Sequence, residues 1–351
     1  MRAADDLTDD VPAAGGPALR LTTDPGPPLL AAVDALLGRA AALDPSPPLN
    51  EAGVLALRHP DRGDTRHLVA TLGDSPVGYA QLADDGTGQL VVDPDARRRG
   101  VGSRLVAALL EEAQRHGVQL RVWALGDSPA AHALAARTGL APMRTLLIMK
   151  RPLTDLPAPV VPEGITISTF RPGVDEQAWL TVNARAFAHH PEQGSIDAED
   201  LAERTGEAWF DPAGFFLART TADASGEGSA SASEWNPPGG VGGRPPSGQS
   251  AADGPVLGFH WTKQHDALGE AGLGEVYVLG VDPDAQGRGL AKALLLTGLA
   301  HLRDAGDEVV ELYVEADQPG PVGLYRAYGF TESARDVMYS GPGNDPTVSA
   351  R

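Results

Sequence analysis

An internal repeat restricts the fold of this chain more than any other feature of its sequence. Residues 90–105 read LVVDPDARRRGVGSRL, and residues 279–294 read LGVDPDAQGRGLAKAL. Further along, RTGL at 137–140 corresponds to AYGF at 327–330. Because the two segments keep the same internal spacing to within one residue, the chain of 351 residues is predicted to contain two copies of one domain.

Each copy has the same predicted order of secondary structure. An apolar strand ends at an Asp-Pro pair, because proline cannot donate to a β-ladder. A glycine-containing turn, an amphipathic helix, a second strand, a short helix and a last strand follow. The predicted strands are 89–92, 118–125 and 144–150 in copy one and 275–281, 309–315 and 335–340 in copy two, and the main helices are 101–115 and 290–304. This order predicts an α/β (α+β) fold built on a mixed sheet.

The composition along the chain predicts where the domains begin and end. A Pro-rich stretch is predicted to be a spacer between the copies. A Gly/Ser/Pro/Ala-rich stretch is predicted to be a disordered insertion in copy two. The predicted segments are a disordered N-terminus at 1–16, an N-terminal domain at 17–150, a linker at 151–163, a C-terminal domain at 164–340 that contains the insertion 221–254, and a tail at 341–351.

Charge and composition exclude several classes of function. The formal net charge of −19 disfavours nucleic acid and anionic membranes as partners, because the summed field repels both. The chain contains no cysteine, which excludes disulfides and thiolate chemistry. No apolar run reaches the roughly 18 residues of a membrane helix, and the opening MRAADDLTDD lacks the apolar core of a secretory signal. A cytoplasmic protein that acts as a monomer is expected.

The most informative motif lies where the first strand of each copy turns into the main helix. Glycine lets backbone N–H groups point outward, and the first turn of a helix has unsatisfied N–H groups with partial positive charge. Together these features predict an anion-binding cradle in both copies. Its residues are Arg98, Arg99, Gly100, Val101, Gly102 and Ser103 in copy one, and Gln286, Gly287, Arg288, Gly289, Leu290, Ala291 and Lys292 in copy two. The alternative is a basic, solvated helix start without a ligand.

The spacing of the cradle residues matches one family of coenzyme-binding proteins. Neither segment fits the G-x-x-x-x-G-K-[ST] or the G-x-G-x-x-G phosphate motif. Both fit R/Q-x-x-G-x-G/A after an apolar strand, which resembles the pyrophosphate-binding motif of the GCN5-related N-acetyltransferases (the GNAT family). The resemblance implies acetyl-CoA as co-substrate and a mostly antiparallel, twisted sheet flanked by helices. It also implies that the pantetheine arm contacts Leu90, Val91 and Val92 in copy one and Leu279, Gly280 and Val281 in copy two.

Four segments of copy two resemble mycothiol synthases, a tandem branch of the same family: VNARAFAHHPEQG at 182–194, GFHWTK at 258–263, GEVYVLGVDP at 274–283 and LYVEAD at 312–317. The resemblance implies acetylation of the cysteinyl amine of a cysteinyl-glucosaminyl-inositol acceptor, the last step of mycothiol biosynthesis. It further implies that the coenzyme contacts Gln318, Pro319, Gly320, Pro321, Val322 and Gly323.

Comparison of the two copies indicates which of them is catalytic. Acetyl transfer needs a base for the amine and a proton donor for the departing thiolate. Glu275 precedes the cradle of copy two, and its counterpart in copy one is Gly86. Tyr325 precedes the second glycine motif, and its counterpart is Ala135. Glu275 is therefore the predicted general base and, by the family resemblance, Tyr325 the predicted acid, whereas copy one is predicted to be non-catalytic.

The acceptor, a polyol that carries an ammonium group, calls for carboxylates, hydrogen-bonding groups and aromatic rings. The predicted acceptor-binding residues are Glu51, Glu192, Lys263, Trp261, Glu275 and Tyr313, with Glu51 included because the resemblance implies that the acceptor lies between the two halves. No cluster of His, Asp and Glu shows convincing metal spacing, so no metal is expected.

Two alternatives remain open at this point. The chain could acetylate another amine, such as an aminoglycoside or a protein N-terminus, because an acidic pocket would suit these acceptors as well. It could also be a non-catalytic acyl-CoA sensor, which would have no need of Glu275 and Tyr325. Copy one could bind acetyl-CoA without turnover, or its cradle could be a relic.

Overall fold

The computed structural model describes residues 18–23, 25–59, 65–73, 75–189, 191–221, 254–265 and 271–341, without the side chains of 191 and 192. The predicted disordered N-terminus and nearly all of the insertion 221–254 and the C-terminal tail lie outside these residues. The chain divides into two compact units. The first contains the chain up to Ile148, Val314–Pro319 and the chain from Glu332, and the second contains Met149–Tyr313 and Gly320–Thr331.

The first repeat supplies six strands and four helices in the described residues, and each predicted element of copy one is present. They are β1 (Ala18–Thr22), α1 (Gly26–Ala41), α2 (Glu51–Arg58), β2 (Arg66–Leu72), β3 (Ser75–Leu82), β4 (Thr87–Val92), α3 (Val101–Arg115), β5 (Arg121–Ala124), α4 (Pro129–Thr138) and β6 (Ala141–Pro152).

The second repeat shows the same order with more elements before its cradle. They are β7 (Ile165–Thr169), α5 (Glu176–Ala186), α6 (Pro191–Gly194), α7 (Ala198–Thr205), β8 (Phe215–Thr220), β9 (Val256–Gln264), β10 (Leu273–Val281), α8 (Leu290–Ala305), β11 (Val309–Glu315), α9 (Pro319–Ala327) and β12 (Thr331–Ser340). No helix among the described residues has the length and apolar character needed to cross a bilayer.

Each unit is built on a mixed sheet. In the first unit the strand order is β1-β2-β3-β4-β5-β12, and in the second it is β6-β11-β10-β9-β8-β7. The pairs β1–β2, β2–β3, β3–β4 and β5–β12 are antiparallel, as are β7–β8, β8–β9 and β9–β10. The pairs β4–β5 and β10–β11 are parallel. The mixed, mostly antiparallel sheet expected from the sequence is therefore confirmed.

The last strand of each repeat belongs to the sheet of the other repeat. β12 comes from the second repeat, yet Val337–Ser340 pair with β5 in the first unit. The end of β6, from Met149, belongs to the second unit, where the Lys150 ammonium lies 2.8 Å from the Glu311 carboxylate on β11. The compact units thus differ from the continuous segments 17–150 and 164–340. Local patterns identify both strands but carry no information about which edge each one joins.

Helix α3 shows how the local sequence positions the cradle. The helix begins after Gly100, whose φ of 84° is left-handed, and buries Val101, Leu105 and Leu109 at helical spacing. Burial of each such side chain stabilises the fold by about 1.5–3 kcal/mol. The strand predicted at 118–125 is shorter, because the N–H of Val118 still bonds to the carbonyl of Ala113 and closes the end of α3.

We expect that a fragment consisting of residues 1–158 is strongly destabilised, because it lacks β12. Val337 and Tyr339 are part of the hydrophobic core of the first unit, and their loss removes about 3–5 kcal/mol of apolar burial. A synthetic peptide of residues 331–341 added in trans should raise the urea midpoint of the fragment. A peptide with Val337→Ser and Tyr339→Ser serves as the control, and a fragment that is equally stable with and without peptide would contradict the exchange.

Candidate active site

The cradle of the second unit is formed as its sequence predicts. Gly287 and Gly289 have φ angles of 76° and 83°, and Gly289 begins α8 without a side-chain cap. Residues 286–289 are exposed. A Cβ built on Gly287 would meet nothing within 4 Å. The first amides of α8 therefore face open space with partial positive charge, which suits an anion such as a diphosphate.

The cradle of the first unit has the same backbone shape with different side chains. Gly100 has a φ of 84°, and Arg98 has a φ of 63° at the position that Gly287 occupies in the second repeat. A left-handed conformation is unusual for arginine, and such strain concentrates at functional sites. Arg97 is occupied elsewhere, since its guanidinium donates to both carboxylate oxygens of Asp44 at 2.8 and 2.6 Å. Arg98 and Arg99 are exposed beside the helix start.

In both units the parallel strand pair separates soon after it forms. β4 and β5 pair at Thr87 and Gly88, and β10 and β11 pair from Leu273 to Glu275, with no further pairs between these strands in the described chain. A cavity of about 480 Å³ opens in the first unit at this point. Its walls include residues from both strands and from the cradle: Leu90, Val91, Val92, Arg98, Gly100 and Trp123. The strand predicted to contact pantetheine therefore borders a cavity that continues to the cradle.

An ion pair that the sequence reading missed anchors the turn before each cradle. In the first unit, Arg39 on α1 donates to the Asp93 carboxylate at 2.7 Å. In the second, Arg185 on α5 donates to the Asp282 carboxylate at 2.6 and 2.9 Å and holds the pKa of Asp282 below its usual value. The two aspartates occupy equivalent places in the repeat, so the same contact fixes both turns.

The predicted base, Glu275, lies in a row of charged side chains across the sheet of the second unit. Its Cα is in register with Lys263 on β9 and Glu311 on β11, so the three side chains point to the same face. Glu275 is 7% exposed, and Lys263 and Glu311 are each 6% exposed. Burial of two neighbouring carboxylates is unfavourable unless cations compensate. Lys150 provides one such cation through its ion pair with Glu311.

A histidine completes the row. His265 follows β9, and its N–H bonds to the carbonyl of Leu273 at 2.9 Å, which extends the pairing with β10. Its ring Nε2 lies 2.9 Å from Glu275 Oε2 and 3.9 Å from Glu311 Oε1. Burial alone would lower the pKa of His265, but the hydrogen bond to Glu275 and the nearby carboxylates outweigh this effect and raise it.

Lys263 and Trp261 have different roles although both were predicted to bind the acceptor. The Lys263 ammonium lies 4.4 Å from the ring centre of Trp209 and 5.2 Å from that of Tyr277, contacts that stabilise a cation. Trp261 is 0% exposed and stacks on Phe215 in the aromatic core. Trp261 lies two residues before Lys263 and so on the same face of β9, but its complete burial among aromatic rings does not favour the predicted contact with the acceptor.

Tyr325, the predicted acid, lies on α9 in the second unit. Its side chain is 8% exposed and packs edge-on against Phe330. Burial raises its pKa, so the phenol keeps its proton at neutral pH and can donate it. Tyr313 shares the face of Glu311 on β11 and is 43% exposed.

The first unit lacks both predicted catalytic groups. Gly86, the counterpart of Glu275 by sequence spacing, lies in the turn before β4. A bulge at Tyr277 shifts the register of β10 by one residue, so the sheet pairs Thr87 with Arg121 where the second unit pairs Glu275 with Glu311. Neither Gly86 nor Thr87 carries a carboxylate. Ala135 is buried in the core of the unit, which leaves no hydroxyl where the second repeat has Tyr325.

The remaining predicted residues lie on α2 and α6 and on or directly before α9. Glu51 is the first residue of α2 in the first unit, and its role in acceptor binding stays a prediction. The side chain of Glu192 lies outside the described residues. Pro319–Gly323 form the start of α9, where Gly320, Pro321 and Gly323 are exposed and Val322 is buried, and Gln318 directly precedes them.

Three groups of the charged row lie close enough for a cation to bridge them. Ligand atoms of His265, Glu275 and Glu311 lie within 4.8 Å of one another. Sequence spacing did not reveal this cluster, because β9, β10 and β11 bring it together. These groups already engage each other and Lys150, and the expected absence of a metal stays a prediction.

Comparison with known proteins identifies the family of this chain. The family model described as the acetyltransferase (GNAT) family matches residues 38–140 and 190–330. The mycothiol acetyltransferase of Thermobispora bispora is 47% identical over 88% of this chain and 94% of its own length. The mycothiol acetyltransferase of Catenulispora acidiphila is 44% identical over 88% of this chain and 94% of its own length. The solved tandem GNAT protein from the clavulanic acid biosynthesis pathway covers 93% of this chain and all of its own with a TM-score of 0.64, at 20% identity, and supports the fold alone.

The sequence motifs, the structure and the comparisons lead to the same assignment. Both repeats contain the exposed, glycine-rich helix start, and the family model matches both. Identity to the curated relatives extends over nearly the whole chain. The chain belongs to the GCN5-related N-acetyltransferases and, within them, to the tandem-domain mycothiol acetyltransferase family.

Proposed function

We propose that the chain transfers the acetyl group of acetyl-CoA to the cysteinyl amine of cysteinyl-glucosaminyl-inositol, the reaction that completes mycothiol. The observation that carries this proposal is the placement of Glu275, a buried carboxylate on the strand that leads into the cradle of the second unit. The identity to mycothiol acetyltransferases supports the choice of acceptor.

Glu275 acts as the general base in this proposal. An α-amino group has a pKa near 8, so its deprotonation at neutral pH costs only about 1–2 kcal/mol. Glu275 takes the ammonium proton, directly or through water, and the free amine attacks the thioester carbonyl carbon. The carbon–nitrogen bond forms and the carbon–sulfur bond breaks. The nitrogen loses its second proton to water, from which Tyr325 regains the proton that it gives to the sulfur. Lys263, Tyr313 and the predicted Glu192 and Glu51 hold the polyol and the ammonium group of the acceptor.

Tyr325 acts as the acid that receives the departing thiolate. The buried phenol stays protonated, as its raised pKa requires, and donates to the sulfur as negative charge develops there. The cradle at Gln286–Lys292 holds the coenzyme diphosphate through the first amides of α8. No metal has a place in these steps, because both proton transfers use side chains of the chain itself.

The first unit binds a second acetyl-CoA without turnover in this proposal. Its cavity joins the strand Leu90–Val92 to the cradle at Gly100, which supports coenzyme binding. The absence of a carboxylate at Gly86 and at Thr87, the counterparts of Glu275 by sequence spacing and by sheet register, supports lack of turnover. The alternative is that the first cradle remains from the duplication and no longer binds acetyl-CoA.

Acetylation of another amine and acyl-CoA sensing are the competing functions. A sensor would not need a buried carboxylate at Glu275, and the first repeat has none at Gly86 or Thr87. Aminoglycosides and protein N-termini carry ammonium groups that the same carboxylates would bind, so only an assay with these acceptors separates them from the proposed one.

We expect Glu275→Gln and Tyr325→Phe each to lower kcat by about 10²–10⁴-fold, the usual contribution of acid–base catalysis. Affinity for acetyl-CoA should be unchanged, because neither residue belongs to the cradle. Steady-state kinetics and calorimetry measure the two quantities, and Glu163→Gln in the exposed linker is the control. Turnover at the wild-type rate in either variant refutes the role of that residue.

We expect wild-type protein to bind two acetyl-CoA molecules per chain in calorimetry. Gly100→Asp and Gly289→Asp should each weaken one site by about 10-fold or more, because a carboxylate repels the diphosphate. Gly100→Asn and Gly289→Asn are matched neutral controls, since Asn and Asp both tolerate left-handed backbone. Turnover should fall only in Gly289→Asp, and a single site in the wild type would identify the first cradle as a relic.

We expect acetylation of cysteinyl-glucosaminyl-inositol to be faster, in kcat/KM, than that of an aminoglycoside or a peptide N-terminus. Chromatographic measurement of released CoA avoids interference from the acceptor thiol. Equal rates with all three acceptors would overturn the proposed acceptor while leaving the acetyltransferase activity intact.

A further inference from the structure

We propose that His265 is a positioning residue for the reaction: it holds one oxygen of Glu275 and leaves the other for the acceptor amine. This inference rests on the proposed function, in which Glu275 is the base. It is carried by the contact between His265 Nε2 and Glu275 Oε2 at 2.9 Å, in a part of the sheet where both residues are largely buried.

The direction of this hydrogen bond follows from the chemistry of its partners. An ionised carboxylate can only accept, so the Nε2 of His265 must carry a proton and donate it. His265 thereby engages Oε2 and not Oε1 of Glu275. Oε1 is the oxygen available for the ammonium proton of the acceptor.

The backbone makes His265 suitable for this task. Its N–H bonds to the carbonyl of Leu273, two residues before Glu275 on β10. The side chains of Lys263 and His265 point to one face of β9 and its extension, the face shared by Glu275. The ring is therefore held by sheet pairing at a fixed distance from the carboxylate, which a residue on a mobile loop would not achieve.

The charges around the pair give His265 a second role. Glu311 on β11 faces Glu275, and two neighbouring carboxylates disfavour ionisation of both. Lys150 on β6 compensates Glu311, and Lys263 on β9 adds a further cation beside Glu275. The hydrogen bond to Glu275 and the nearby carboxylates raise the pKa of His265, which favours a cationic ring beside the two carboxylates.

Two substitutions in the full chain separate the roles of His265. His265→Leu removes the donor and the charge, and we expect kcat to fall about 10–100-fold, the effect of a misplaced catalytic group. The acid limb of the kcat/KM profile should move to higher pH, because loss of a cation favours the protonated carboxyl. His265→Gln keeps an N–H donor and should recover much of kcat, but its acid limb should shift as in His265→Leu.

The control is His116→Gln in the first unit. His116 Nε2 also contacts a glutamate, Glu112, at 3.1 Å, so the substitution removes the same kind of pair away from the reaction. Kinetics and pH profile should match the wild type. Calorimetry should show unchanged acetyl-CoA binding in all three variants.

A double variant makes the outcome decisive. If His265 acts through Glu275, His265→Leu combined with Glu275→Gln should be no slower than Glu275→Gln alone. Three results would each overturn the positioning role. The first is a double variant whose loss of kcat equals the combined losses of the two single variants. The others are a wild-type pH profile in His265→Leu and a loss of acetyl-CoA binding that accompanies the loss of kcat. Inactivation of the wild type by a chelator would also overturn it, in favour of a metal at His265, Glu275 and Glu311. Wild-type turnover in Glu275→Gln would instead show that the base assignment itself is wrong.

Discussion

The unsatisfied amides at the start of two helices are the feature on which the rest of the structure depends. α3 and α8 begin after a left-handed glycine without a side-chain cap, so their first N–H groups require an external partner. In the proposed function an anionic coenzyme supplies that partner, and the cavity between β4 and β5 of the first unit has room for the rest of such a molecule. Ion pairs from Arg39 and Arg185 hold the preceding turns in place. Duplication preserved this arrangement in both repeats.

The two repeats differ where the chemistry takes place. In the second unit, three adjacent strands bring Lys263, Glu275 and Glu311 to one face, and Lys150 and His265 balance the carboxylates. The bulge of β10 at Tyr277 has no counterpart in β4, and the sheet of the first unit places Thr87 where the second unit has Glu275. In the proposed function, the first repeat keeps the coenzyme fold and the second adds acid–base chemistry.

The exchange of last strands has consequences for folding. β12 completes the sheet of the first unit, and the end of β6 belongs to the second. Each compact unit therefore needs residues that are distant in sequence, and contacts of this kind form late because loop closure is costly in entropy. The core of the first unit includes Val337 and Tyr339, so that unit is complete only once the end of the chain has been synthesised.

The sequence by itself determined the duplication, the two glycine-rich helix starts, the bounds of α3 at Val101–Arg115 and the lack of a carboxylate in copy one to match Glu275. These features depend on local spacing, on helix caps and on glycine, whose effects act within a few residues. Tertiary structure alone decided the exchange of β6 and β12, the burial of Trp261 and the pairing of His265 with Glu275. These depend on strand register and on long-range partners. A strand sequence records which residues share a face, but only the folded sheet decides which side chains of neighbouring strands meet.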